Sequence, residues 1–222
     1  FKKGKLYWDG TTLLDFPAPE IETYLDERAH DTFHVGTLTP EDFMDTRPRG
    51  VIGMIPGEIV STDNGYADHV DLQKDILKIA VVERHKNTGH IGLGYIQGYG
   101  LKSGAVATSI SHDSHNIIVV GTNAEDMAFA ANYIVENHGG IVVVDGGKVL
   151  ASVVLEIAGI MSDEPLTKMN EELEAAKDAA FRLGVSRGID PFMTLSFMAL
   201  PVIPTLRITT RGVIDVNTQQ YI

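Results

Sequence analysis

Ile117-Ile118-Val119-Val120, then Thr122-Asn123-Ala124-Glu125, then Met127, Ala130, Ala131, Ile134 and Val135 up to His138-Gly139-Gly140, then Ile141-Val142-Val143-Val144: this run decides the fold class. The first and last segments are short, β-branched and apolar, as strands are. Between them, a Thr with Glu three residues later reads as a capping box, and the apolar stripe has helical spacing. Asp145-Gly146-Gly147-Lys148 and Val149-Leu150-Ala151-Ser152-Val153-Val154-Leu155 then read as a turn and the returning strand of a hairpin. Strand, helix and hairpin in succession predict an α+β fold with mixed β-sheets.

Working outward, Ser162-Asp163-Glu164-Pro165 is expected to cap a second amphipathic helix. Its apolar positions are Leu166, Met169, Leu173, Ala176, Ala180 and Leu183, and it ends before Gly184. Upstream, 51–55, 59–61, 76–82 and 105–110 are strand candidates, and Leu206 to Val216 is expected to add edge strands. Between Ile76 and Ala105, glycines at 89, 92, 94, 98, 100 and 104 imply backbone that bends or packs closely, inside the domain or against a neighbour. Their order does not match the dinucleotide-binding fingerprint. Residues 5–16 carry Leu6, Trp8, Leu13, Leu14 and Phe16 about Asp9-Gly10-Thr11-Thr12, which predicts a β-hairpin; 17–50 is a connector in which Thr39-Pro40-Glu41-Asp42 makes one capped turn.

The composition is that of a globular protein, with 44% hydrophobic and 22% charged residues among 222. A net charge of -12 disfavours nucleic acid and anionic membrane as partners. The absence of cysteine excludes disulfides, thiolate zinc sites and a cysteine nucleophile. No apolar run approaches the roughly 20 residues that span a bilayer, and no signal-like stretch follows Phe1-Lys2-Lys3, so the expected location is cytoplasmic. The chain opens on Phe1 with a strand-like segment and reads as beginning in mid-fold.

Two polar segments at strand ends concentrate the chemistry. Glu83-Arg84-His85-Lys86-Asn87-Thr88 follows the 76–82 strand, and Ser111-His112-Asp113-Ser114-His115-Asn116 separates two strands. His112 and His115 could shuttle protons near neutrality or hydrogen-bond a ring nitrogen, with Asp113 as their partner. Equally, Asp113, Ser114 and Asn116 could bond their own backbone at a tight corner that the histidines complete. Glu83, Arg84, His85, Asn87 and Asn116 read either as substrate-binding groups or as an interdomain polar cluster. A metal site on this loop is disfavoured, because His112 and His115 are three apart without a helix and no third ligand stands out. Met193, Phe197 and Met198 read as core.

These segments, together with Val119-Val120-Gly121-Thr122-Asn123, Asp145-Gly146-Gly147, Gly159-Ile160-Met161-Ser162-Asp163 and Asp190-Pro191-Phe192-Met193-Thr194-Leu195-Ser196-Phe197, occur in an order that resembles the C-terminal region of bacterial and archaeal adenine deaminases, members of the metal-dependent amidohydrolases. The resemblance implies an upstream metal-binding barrel, a β-sandwich to which residues 1–16 would contribute, the connector 17–50, and an α+β domain over 51–222. It implies hydrolytic deamination of adenine to hypoxanthine and ammonia, with a divalent metal (manganese or iron) activating water in the barrel. It implies a homo-oligomeric enzyme of purine salvage. No His-x-His pair occurs, so the family's metal ligands map onto no residue here, and this chain alone is expected to be inactive and metal-free. On this view the domain closes or lines the purine site. The alternatives are a structural and oligomerisation domain and a stand-alone purine-binding module.

Overall fold

The computed structural model describes residues 3–14 and 23–222; Asp15 and Phe16 of the expected hairpin, and the first part of the connector, lie outside the described residues. Among the described residues, eleven strands and four α-helices follow in the order α1 (Thr23–His30), a 3-10 turn (Pro40–Phe43), β1 (Arg49–Met54), β2 (Ser61–Ala67), β3 (Ile76–Val82), β4 (Ile91–Gln97), β5 (Ala105–Thr108), β6 (Ile117–Gly121), α2 (Ala124–Glu136), β7 (Gly140–Asp145), β8 (Lys148–Val154), α3 (Leu166–Arg182), α4 (Pro191–Met198), β9 (Leu206–Thr209), β10 (Gly212–Asp215) and β11 (Gln220–Tyr221). The fold class is α+β, as expected.

One sheet carries eight strands in the order β2-β1-β4-β3-β6-β5-β7-β8, and β9 to β11 form a second. Every pair in the large sheet is antiparallel except β1 with β4. The apolar strands are buried on both faces, which is why they read as continuous hydrophobic runs rather than as alternating ones. Odd positions of β3 (Leu77, Ile79, Val81) join Ile118, Val120, Ile141 and Val143 beneath α3, α4 and the small sheet. Ala80 and Val82 join Ile117, Val119, Val142 and Val144 beneath α2, where Leu38 and Phe43 of the expected connector also pack.

Helix α2 forms where the sequence places it, but its cap lies one residue later than the Thr122 box. Asn123 Oδ1 accepts from the Asp126 amide at 2.8 Å. Asp126, rather than Glu125, then occupies the third helical position, and its carboxylate accepts from the Gly146 and Gly147 amides at 3.2 and 2.8 Å, tying the β7–β8 turn to the helix. Asn123→Ala is therefore expected to cost about 1 kcal/mol, and Thr122→Ala clearly less, in denaturant midpoints. The reverse ranking would restore Thr122 as the cap.

Four further expectations are corrected. Helix α3 has no side-chain cap, and its first residue, Leu166, is 84% exposed; burial begins in earnest further along, at Ala176, Ala179 and Ala180. Asp190 Oδ1 caps an additional helix, α4, by accepting from the Phe192 and Met193 amides at 3.0 and 2.9 Å, with Pro191 in its first turn. Met193 is half exposed there rather than core. The polar stretch at 62–65 is not a break after a strand but the body of β2, an edge strand that is exposed over 62–64.

The glycine-rich segment contains β4. A Cβ on Gly92 would lie 1.8 Å from the Thr209 carbonyl oxygen, and one on Gly94 would lie 2.4 Å from a Val213 methyl. The glycines thus let the β9–β10 hairpin lie directly on β4, so close packing within the domain accounts for them. Residues 5–14 turn back on themselves, with an antiparallel bridge between Trp8 and Leu13 and a hydrogen bond from the Leu14 amide to the Tyr7 carbonyl at 2.7 Å, and Trp8 and Leu13 stand 54% and 63% exposed.

Candidate functional site

Strand pairing puts both polar segments at one end of the large sheet, because Val82, which ends β3, pairs with Ile117, which begins β6. The turn 83–90, the loop 109–116 and the segment 155–161 after β8 converge there. Helix α1 joins them through a hydrogen bond from the Ala158 amide to the Ala29 carbonyl at 2.6 Å, and the segment after it through one from the His34 amide to the Arg84 carbonyl at 2.7 Å.

Arg84 is the centre of this convergence, and its guanidinium is engaged inside the chain. It donates to the His115 carbonyl, to the Thr32 carbonyl at 2.9 Å and hydroxyl at 3.1 Å, and to the Ala158 carbonyl at 2.9 Å. Its plane lies over Phe33, 4.2 Å from the ring centre. Burial brings its pKa down to about 10, with Glu83 opposing, and it stays charged throughout the neutral range. Its own amide donates to Asn116 Oδ1 at 3.2 Å, so Asn116 joins the same network.

Glu83 organises the adjoining turn by accepting from the amides of His85 (2.7 Å), Lys86 (3.0 Å) and Thr88 (3.1 Å) and from the Thr88 hydroxyl (2.9 Å). Burial works against its ionisation, but these bonds outweigh it and hold the carboxyl below its ordinary value. His85 is exposed, and its Nε2 lies 2.7 Å from the Ser114 carbonyl, linking the turn to the loop. Asn87, in a left-handed conformation with φ of 50°, lies on the outside of the turn and lines a separate hollow with Val35 and Leu38.

The loop itself holds His112 and His115 with ring centres 6.4 Å apart. His112 packs on Phe197 of α4 at 4.9 Å, and its amide donates to the Ser196 carbonyl at 3.2 Å. Asp113 is 90% exposed, with Oδ1 3.9 Å from His112 Nδ1. Among the described residues, His115 Nδ1 and the Ser111 and Ser196 hydroxyls are buried with no hydrogen-bond partner. Such groups are costly unless an ordered water or another polar group meets them. Burial first, then Arg84 and His112, hold the His115 imidazole below its ordinary pKa, with Asp113 working the other way. It is therefore neutral at physiological pH and offers one nitrogen as a donor and one as an acceptor. Beside the loop, Asp113, Ser114 and Asn116 line a cavity of about 330 Å³ closed by residues 199–202 and the β9–β10 turn.

The donor set does not fit a metal ion. Two imidazoles of this separation with one solvent-facing carboxylate lack a third converging ligand, and among the described residues no group of three or more His, Asp or Glu is arranged to hold one. Sequence reasoning did not single out Ser111 or Ser196 as individual candidates. Their signal would have been a hydroxyl in an otherwise apolar, fully buried environment, which depends on the fold.

A family model described as the adenine deaminase C-terminal domain matches residues 57–220. The chain belongs to that family. It is 47% identical over 178 residues to the adenine deaminase of Bacillus licheniformis, covering 78% of this chain and 31% of that protein. It is 43% identical over 227 residues to the adenine deaminase of Nitratidesulfovibrio vulgaris strain DP4, covering 96% and 38%. With adenine deaminase 2 of Carboxydothermus hydrogenoformans the identity is 41% over 232 residues, covering 98% and 40%. The chain therefore spans between 31% and 40% of the length of these curated relatives. As a member of the adenine deaminase C-terminal family, it has no helix among the described residues that is long and apolar enough to cross a membrane.

Proposed function

We propose that this chain is the C-terminal part of an enzyme that hydrolyses adenine to hypoxanthine and ammonia, and that its 111–116 loop faces the purine site formed with the upstream part. The observation that carries this reading is the unspent hydrogen-bonding capacity of the loop. His115 Nδ1 and Ser111 Oγ have no partner among the described residues, and Asp113 stands open beside the cavity. Deamination at a ring carbon requires a proton to reach a ring nitrogen and another to reach the departing amine, and imidazoles at hydrogen-bonding distance supply that traffic. His112 and His115 would hold and move those protons, while Arg84, Asn116 and His85 keep the loop in place.

The reading carries with it a divalent metal, manganese or iron, bound upstream, a cytoplasmic enzyme of purine salvage, and a homo-oligomer. Its domain limits are 1–16 as part of a β-sandwich, 17–50 as connector and 51–222 as the C-terminal domain. The exposed Trp8 and Leu13 support a contact of the first segment with parts outside this chain.

In the full-length enzyme, His112→Ala and His115→Ala are each expected to lower kcat/KM for adenine by about 10²-fold at unchanged metal content. Unaltered kcat/KM in both variants would leave a structural role for the loop. Loss of metal alongside activity would place the effect on the barrel rather than on proton transfer.

A further inference from the structure

At the opposite end of the large sheet from the 111–116 loop, Lys78 of β3 and Tyr95 of β4 stand directly across from each other in the antiparallel register. Both are buried, at 7% and 0% exposure. The Lys78 ammonium sits 4.3 Å from the centre of the Tyr95 ring, and its hydrogen-bond partner is the Asp45 carbonyl at 3.3 Å. No carboxylate among the described residues forms an ion pair with it. The Tyr95 hydroxyl is buried with no hydrogen-bond partner among the described residues. Both residues line one cavity of about 260 Å³, whose other walls include Phe43, Val70 and Met127, Ala124 at the start of α2, and also Asp45 and Asp68.

A buried ammonium is ordinarily paired, and a buried hydroxyl ordinarily bonded, because each loses its hydration otherwise. Here the two side chains lie together behind the wall of the same hollow, with hydrogen-bond donors to spare and apolar side chains among the other walls. The neighbouring acids do not meet the need. Asp45 is taken up by Arg47 at 3.1 Å and by Arg49 at 2.9 Å, and Asp68 is bonded to His69 at 2.5 Å. Burial first, then Asp68 and Asp45, push the Tyr95 hydroxyl up to about 12, so it remains a neutral donor. Burial also lowers the Lys78 pKa, with Asp45 opposing, and an arriving anion would reverse that cost. The N-terminus of α2 adds favourable polarity for negative charge, and the Asp126 carboxylate in that turn is already bound to the Gly146 and Gly147 amides.

We propose that this cavity binds a small organic carboxylate, its anionic group between Lys78 Nζ and the Tyr95 hydroxyl and its apolar body against Phe43, Val70 and Met127. The apolar walls favour such a ligand over inorganic phosphate, which would have to shed more water to enter. The site is separate from the proposed purine site and does not depend on it.

Calorimetric titration of the 222-residue chain with benzoate, and in parallel with inorganic phosphate, tests the assignment. Benzoate is expected to bind saturably at one site and phosphate more weakly. Lys78→Met, which keeps the aliphatic stem, and Tyr95→Phe, which keeps the ring, are each expected to weaken benzoate by about tenfold or more. Tyr95→Phe is conservative enough to keep the test informative should Lys78→Met fold poorly. No saturable benzoate binding, affinity unchanged in the folded variants, or phosphate binding more tightly than benzoate would each overturn the proposal.

Discussion

Arg84→Ala is expected to lower the free energy of unfolding by roughly 3–5 kcal/mol, which is a large share of the stability of a domain of this size. The side chain serves three carbonyls and one hydroxyl drawn from residues 32, 115 and 158, and truncation strands those acceptors where water reaches them poorly. Each unsatisfied acceptor costs about 1–3 kcal/mol. Release of a desolvated charge offsets part of the total, which is why the expected loss is smaller than the sum. Arg84→Lys is expected to recover little, because one ammonium cannot reach acceptors on three separate segments that a planar fork reaches together. Guanidinium unfolding of the three proteins checks this, and an alanine variant within 1 kcal/mol of the parent would refute the role. Because the clasp holds His115 by its carbonyl, Arg84→Lys should also lower kcat/KM in the full-length enzyme if the loop faces the purine.

Gly92→Ala is the second large effect, expected to cost about 3 kcal/mol or more. The added methyl would fall 1.8 Å from the Thr209 carbonyl oxygen and 2.5 Å from the Gly212 nitrogen, both backbone atoms of the β9–β10 hairpin. Backbone cannot rotate aside as a side chain can, so the hairpin must lift from β4. Lifting it uncovers Ile208 and Val213, which belong to the main core. Gly94→Ala meets a Val213 methyl instead and should cost less. Thermal unfolding of both variants checks the ordering, and equal, small shifts would show that the hairpin is not held by close contact at Gly92.

The elements that were legible in the sequence are those whose local pattern and tertiary setting agree. β3, β6, α2 and the β7–β8 hairpin combine uninterrupted apolar runs or a helical stripe with flanking turn residues, and each lies where it is expected. β4 was obscured because the property that makes it fit, glycine on the face that meets the small sheet, is locally the mark of a broken strand. β2 was obscured because an edge strand with exposed polar side chains has the composition of a loop. Helix α4 is apolar on nearly every side and followed by prolines, so its only local signal was Asp190 before Pro191. At the candidate site, the polar residues at 83–88 and 111–116 lie where segments converge, and their density in the sequence drew attention to both runs. It could not separate Arg84, whose donors are consumed by backbone, from His115, whose Nδ1 is left open, since that distinction depends on carbonyls at 32 and 158.

The hairpin that covers β4 also reaches back to the first strands. Ser61 Oγ donates to the Leu206 carbonyl at 2.7 Å, and Arg207, fully buried, donates to the Ile59 carbonyl. These partners are about 145 residues apart, near the far limits of the family domain. During synthesis on the ribosome, β1 to β4 emerge long before residues 206–215 exist, and one face of them stays wet until those residues arrive. Closing so long a loop is slow, and the exposed apolar face is prone to association in the interval. A slower arrival of the β9–β10 hairpin is thus expected to lower the yield of folded protein.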